Sequence, residues 1–452
     1  MGDHLLRPSI HHSSPGGPPA TQIGRTVLHN GLRVASIALP HLHTSQVSVF
    51  VRCGSRHETP ESNGISHLLE HLLFRGSERF PDARALAVTI ENAAGELQGA
   101  AARDHTVLQT PVHPAKLEVP FAVLSDLVCR PLLREPELEL ERQVILEELA
   151  SESDAEGRQL DLEHLTMGGL FGASPLAWPI GGDLGTLLSL REEDVRAWHR
   201  RAWGARNLVV VCGGPAPHSR VVELAARYFG AMPPGEPFSD GPPPPLAEGL
   251  PKVTLVDRPG GQTQIRLAFR CPPQQHPAFP CLRLLRRLLA DGLSSRLQVE
   301  LVEKRALAYA AGAALNGFSD CALFTITAVC TPSKVLALVS RLLELLSALA
   351  TTRVAAEDLL RVQAKSRLRN DFMLDSPSEV VEWLGLGDLL HGGSAELQTW
   401  LDKLEAVTAK EVRDSAAMLF RRGGLVACCV GPLGQEAEEI NDLLQRAEPL
   451  PR

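Results

Sequence analysis

The sequence predicts an α+β fold of two homologous repeats, each a mostly antiparallel sheet with helices packed on one face. The chain resembles itself. Ser45-Gln46-Val47-Ser48-Val49-Phe50-Val51-Arg52-Cys53 returns as Thr263-Gln264-Ile265-Arg266-Leu267-Ala268-Phe269-Arg270-Cys271, an offset of 218. Asp104 to Leu108 returns as Asp320 to Phe324, an offset of 216. Asp194-Val195-Arg196 with Asn207 to Cys212 returns as Glu411-Val412-Arg413 with Gly424 to Cys429, an offset of 217. Three matches in one order at nearly one offset mark a duplicated fold of roughly 200 residues. Within a copy, runs of strands precede runs of helices instead of alternating with them, which favours helices laid on an antiparallel sheet.

The elements follow in order. Arg25 to Leu28 and Leu32 to Ala38 flank Asn30-Gly31, a hairpin signal. Gln46 to Cys53 is a strand, a helix begins at Ser66, and Thr106 to Val112 is a strand again. Helices are expected around Pro114 to Cys129, over Pro136 to Ala150 and over Glu192 to Arg201, and Leu208 to Cys212 is a buried strand. Pro233-Pro234-Gly235-Glu236-Pro237 and then Pro242 to Pro245 forbid helix and sheet interior, so an extended, semi-rigid connector divides the copies. The expected organisation is a flexible tail at 1–21, a first repeat at 22–232, a linker at 233–251 and a second repeat at 252–446.

Composition excludes several classes. With 452 residues, 44% hydrophobic and 22% charged, the chain is too apolar to be disordered and long enough for more than one core. No uncharged apolar run of about 20 residues exists, and Val335 to Ala350 is interrupted by Arg341 and Glu344, so no membrane partner is expected. A net charge of -8 gives no basic surface for nucleic acid. Nine scattered cysteines without a C-x-x-C pair read as buried small hydrophobes in a reducing, cytoplasmic compartment. Met1 to Thr21 lacks the apolar stretch of a secretory signal and the arginines of a transit peptide. Its His4, His11 and His12 read as part of a solvated tail.

The chemistry concentrates in His67-Leu68-Leu69-Glu70-His71. Residues four apart leave one helix face a turn apart, so both imidazoles can grip one ion, and Glu70 projects to the same side. This is the H-x-x-E-H zinc pattern. A catalytic site needs a third protein ligand and an open fourth position. The richest source of an acid is Pro136 to Leu149, with Glu137, Glu139, Glu141, Glu147 and Glu148. Glu141 and Glu148 are seven apart and share a face, so one can ligate while the other supports a histidine from behind.

Gly54-Ser55-Arg56-His57-Glu58, the stretch Gly64-Ile65-Ser66-His67-Leu68-Leu69-Glu70-His71-Leu72-Leu73-Phe74-Arg75-Gly76-Ser77, Pro179-Ile180-Gly181-Gly182 and the duplication together resemble the pitrilysin family of zinc peptidases. The resemblance is to the branch of the mitochondrial processing peptidase and short bacterial processing peptidases, and it covers roughly residues 22–445. That family takes its third ligand 77 residues after the second His, which here is Glu148, and its supporting acid falls on Glu141. The resemblance implies one zinc ion held by His67, His71 and Glu148. It makes Glu70 the base that takes a proton from zinc-bound water. It also implies that substrate adds as a strand to a sheet edge, at Gln98, Gly99 and Ala100, where the family typically has Asn-Ala before a Thr-rich stretch.

The second copy departs from the chemistry. At an offset of 218, His67, Glu70 and His71 become Leu285, Leu288 and Leu289. The family's substrate-binding Arg and Tyr, seven residues apart, fall here on Val302 and Tyr309, and a lone Tyr in that place reads more readily as core. Zinc ligands without the Arg suit the zinc-bearing subunit of a dimer, homodimeric or paired with a homologue that supplies the Arg/Tyr pair. The leading expectation is a zinc endopeptidase acting on short or unfolded peptides. The alternatives are a non-catalytic scaffold and a maturation protease for a leader-bearing precursor.

Overall fold

Two sheets organise the chain. The computed structural model describes residues 22–152, 160–241, 251–393 and 397–451. The predicted tail and Pro242 to Pro245 lie outside the described residues.

The first sheet contains β1 (Gln22–Val27), β2 (Arg33–Ala38), β3 (Ser45–Val51), β4 (Gln98–Ala101), β5 (Thr106–Val112) and β6 (Leu208–Gly214), in the order β1-β2-β6-β3-β5-β4. The second contains β7 (Lys252–Asp257), β8 (Thr263–Cys271), β9 (Ala310–Gly317), β10 (Ala322–Cys330) and β11 (Val426–Gly431), in the order β7-β11-β8-β10-β9. From β2 onward the two orders are the same, as duplication requires. Every pairing is antiparallel except β2 with β6 and β7 with β11. The first hairpin closes through Leu28–Gly31, where Gly31 takes φ 87°, a left-handed turn position that suits glycine.

The first repeat adds α1 (Ile65–Leu73), α2 (Ala83–Glu91), α3 (Glu118–Cys129), α4 (Glu135–Ser151), α5 (Leu162–Phe171), α6 (Leu184–Ser189), α7 (Glu192–Ala202) and α8 (His218–Phe229). The second adds α9 (Phe279–Ala290), α10 (Val335–Thr351), α11 (Ala356–Leu374), α12 (Pro377–Leu390), α13 (Leu397–Glu405), α14 (Ala409–Leu419) and α15 (Ala437–Arg446). One face of each sheet is covered by its own repeat. Val47, Val49, Val51, Val210 and Cys212 pack under α1, α3, α7 and α8, while Ile265, Leu267, Phe269 and Phe324 pack under α9, α10 and α14.

The other faces show what the repeat pattern alone could not. The repeats exchange helices. Val380, Val381 and Leu384 of α12 bury Ala35, Ile37, Phe50 and Val209 of the first sheet. Leu162 and Leu165 of α5 lie on Ala268, Val426 and Cys428 of the second. Glycine makes the close approach possible. A Cβ on Gly385 would lie 2.1 Å from the Phe50 ring, and one on Gly169 would lie 2.5 Å from Val426.

Polar contacts reinforce the union. Arg25 pairs with Asp388 at 2.9 Å, and Arg33 donates to the Asp388 carbonyl at 2.6 Å. The described start of the linker is extended and pinned, with Asn207 donating to the Glu236 carbonyl at 2.9 Å and accepting from the Phe238 amide at 2.8 Å. All nine cysteines are free, eight of them buried. Among the described residues no single helix is long and apolar enough to cross a membrane.

Candidate metal centre

Helix α1 holds the motif rigidly because its apolar side is fully used. Ile65, Leu68, Leu69, Leu72 and Leu73 are all buried in the first core, which leaves His67, Glu70 and His71 on the remaining face. Its start is fixed by Glu58, whose carboxylate accepts from the amides of Gly64 and Ser66, each at 2.8 Å, and from Asn63 Nδ2 at 2.9 Å. These bonds satisfy amides that a helix start otherwise leaves open. Gly64 takes φ 96° there, and a Cβ on it would meet the Gly181 carbonyl at 2.6 Å. The Pro179–Gly182 loop therefore nests on the entry to α1, with the Pro179 carbonyl accepting from Asn63 at 3.0 Å.

His67, His71 and Glu148 offer three ligand atoms within 4.8 Å of one another. The two imidazole Nε2 atoms are 3.1 Å apart, and His67 Nε2 lies 3.9 Å from Glu148 Oε2. His71 Nδ1 faces Glu141 Oε2 at 2.8 Å. An ionised carboxylate only accepts, so His71 Nδ1 carries the proton and its Nε2 turns a lone pair toward His67. Arg75 binds the other oxygen of Glu141. Burial opposes ionisation of Glu141, but the bonds from His71 and Arg75 outweigh it and hold the carboxyl below its ordinary value. A tetrahedral zinc with bonds of about 2.0–2.1 Å to nitrogen sets its ligand atoms roughly 3.3 Å apart, so this donor set fits zinc.

Charge at the site is arranged by burial and pairing. Burial lowers His67 to about 4, which keeps it neutral and able to ligate. The bond to Glu141 raises His71. Burial lifts Glu70 to about 7, with Glu141 and Glu148 adding to the rise against the pull of His71. Glu70 Oε2 lies 3.9 Å from His71 Nε2. A carboxylate that changes protonation near neutrality is suited to acid–base work.

Strand β4 passes directly beside this acid. A Cβ on Gly99 would come within 2.1 Å of Glu70 Oε1 and 2.7 Å of Phe74 Cζ. Among the described strands β4 pairs with β5 alone, so its outer edge is free, with Gln98 and Ala100 exposed. The predicted edge residues and the predicted ligands are thus brought together. A cleft of about 360 Å³ opens beside His67 and Glu148, walled by Ala101, Arg103 and Glu152.

The second repeat keeps the scaffold without the chemistry. Leu285, Leu288 and Leu289 are buried in its core. Val302 packs against that core too. Tyr309 corrects the reading of a lone core Tyr: it is 81% exposed, because it stands just before β9, the outermost of the described strands of its sheet. Glu58 and Arg75 stand in the motif stretches, and the sequence assigns them no role. Their signal is faint, since only tertiary contact shows which partner each one holds.

Residues 33–177 match the family described as Insulinase (Peptidase family M16), and residues 189–366 match the Peptidase M16 inactive domain. An uncharacterized zinc protease of Mycobacterium tuberculosis (strain H37Rv) is 30% identical over 429 residues, 94% of this chain and 96% of that protein. The chain belongs to peptidase family M16. Within it, this is a short two-domain member, of the family that the sequence resembles. A probable mitochondrial-processing peptidase subunit beta of Arabidopsis thaliana is 26% identical over 444 residues, 95% of this chain and 81% of that one. The crystal structure of a protease from Helicobacter pylori shares the fold, with a TM-score of 0.82 at 21% identity over 91% of this chain and all of that chain.

Proposed function

We propose that this M16 chain is a zinc-dependent endopeptidase that hydrolyses short or unfolded peptides in the cytoplasm. The observation that carries the reading is the meeting of three groups at one point: the His67–His71–Glu148 donor set, the Glu70 carboxylate, and the free edge of β4. His67, His71 and Glu148 hold one zinc ion. Bound zinc supplies a water of lowered pKa and polarises the scissile carbonyl. Glu141 and Arg75 orient His71. The backbone of Gln98, Gly99 and Ala100 takes the substrate as an added strand, which demands an extended peptide. Glu70 accepts the proton of the attacking water and passes it to the leaving amine. The nine free thiols support the compartment.

The chain acts as the zinc-bearing subunit of a dimeric clam. Val302 turned into the core and Tyr309 exposed leave this chain without a paired Arg and Tyr of its own, which favours a homologous partner that supplies them. The test is zinc analysis with peptide cleavage, on wild type and Glu70→Gln, alone and with any co-encoded homologue. Expected are one zinc per chain in both proteins and turnover only in wild type. Undiminished cleavage by Glu70→Gln sinks the role of Glu70, and full activity of the purified single chain refutes obligate pairing.

A further inference from the structure

The second sheet carries an unneutralised cation on the face turned away from its own core. Strand register places Arg266 opposite Thr327, and Thr327 opposite Gly312. The next row is Ala268, Thr325 and Ala314. Core residues Ile265, Leu267, Phe324 and Ile326 alternate with these and point the other way, so the polar row faces α5. Arg266 Nε donates to Thr327 Oγ1 at 3.1 Å, and among the described residues no carboxylate pairs with Arg266. An arginine held against a hydroxyl in a cavity, with no counter-ion, is an open position for an anion.

The space in front of it exists because β9 withholds side chains. A cavity of about 320 Å³ is lined by Arg266, Thr325, Thr327 and Asn316, with Met167 and Glu163 of α5 opposite. A Cβ on Gly312 would meet nothing within 4 Å. Glu163 is occupied by Arg103 at 2.5 Å, so it leaves Arg266 uncompensated. Glu163 also lines the cleft beside His67 and Glu148, so the two spaces adjoin at α5. Among the described strands β9, like β4, is an edge strand and offers free backbone.

We infer that this cavity is a carboxylate subsite, in which Arg266 and Thr327 receive a carboxylate borne by a peptide whose remainder reaches the cleft at His67. Guanidinium with a neighbouring hydroxyl matches a carboxylate, and such charge-assisted bonds are the strong ones. The inference rests on the peptidase reading and adds to it a preference for peptides bearing a carboxylate at a distance from the cleaved bond.

The experiment measures fluorescence anisotropy of an amino-terminally labelled peptide with the Glu70→Gln chain, as its free acid and as its carboxyl-terminal amide. A second pair, both amidated, carries Glu or Gln near the carboxyl end and tells a side-chain carboxylate from a terminal one. Expected is about tenfold tighter binding of the acid in at least one pair, erased by Arg266→Gln. Gly312→Val fills the cavity without touching Arg266. It should erase the preference too, and it decides the matter if Arg266→Gln does not fold. Equal binding within both pairs, or a preference that survives Gly312→Val, overturns the subsite. Cleavage by wild type, alone and with any co-encoded homologue, is followed in parallel: absence of turnover in both defeats the peptidase reading, whereas equal binding defeats the subsite.

Discussion

Glu70 stands where three neighbours compete for its charge. Burial lifts it to about 7 and His71 draws it down, while β4 leaves no room for a side chain against it. Its pairing with His67 and His71 was legible, since helical spacing alone sets three side chains on one face. Glu141 and Glu148 could only be narrowed to one helix by spacing, because five acids lie there and sequence does not say which face meets α1. Ile145 and Leu138 decide it by being buried, which turns Glu141 under His71. Glu141→Gln should weaken zinc binding by about 10–100-fold, read by chelator competition, because His71 loses a charged partner.

At the scale of the element, α1 and β4 carry the site together. Glu58 anchors the first turn of α1 through buried bonds, and Glu58→Ala leaves those amides without a partner. The expected cost is about 1–3 kcal/mol in denaturant unfolding. Gly99→Val should keep zinc, since no ligand moves, yet lower turnover by on the order of tenfold or more by displacing Glu70. Metal content and turnover on the same sample check it. The strand over 98–101 was expected from resemblance alone: four small or polar residues carry no β signal of their own, and they are held by pairing with β5.

Across the whole molecule, the repeats are joined by exchanged helices and by a buried polar clasp. Asp240 of the linker meets Arg52 at 2.5 Å, His57 at 2.8 Å and Ser319 at 2.5 Å, while Arg56 reaches Asp320 at 2.8 Å. Burial opposes ionisation of Asp240, but the bonds from His57 and Ser319 and the charges of Arg56 and Arg52 outweigh it and hold the carboxyl well below the usual range. A carboxyl depressed in the folded chain stabilises it above its unfolded value of about 4, and the contribution fades as pH falls. Asp240→Asn should therefore melt lower than wild type at pH 7, with the gap beginning to narrow as pH falls below about 4 in thermal melts. A gap independent of pH would deny Asp240 its charged role.

The sequence by itself determined the duplication, the α+β class, the metal-binding helix and the loss of chemistry from the second copy, because each is written in local spacing or in an internal offset. Tertiary structure decided which face of each sheet receives the other repeat's helix. It decided which acid stands behind His71, where Tyr309 goes, and how the linker meets His57. These depend on contacts between residues up to 363 positions apart, as in the Arg25–Asp388 pair, and no local pattern records the partner of a side chain at that range. The hydrophobic period fixes that a residue is buried; only the packed chain fixes against what.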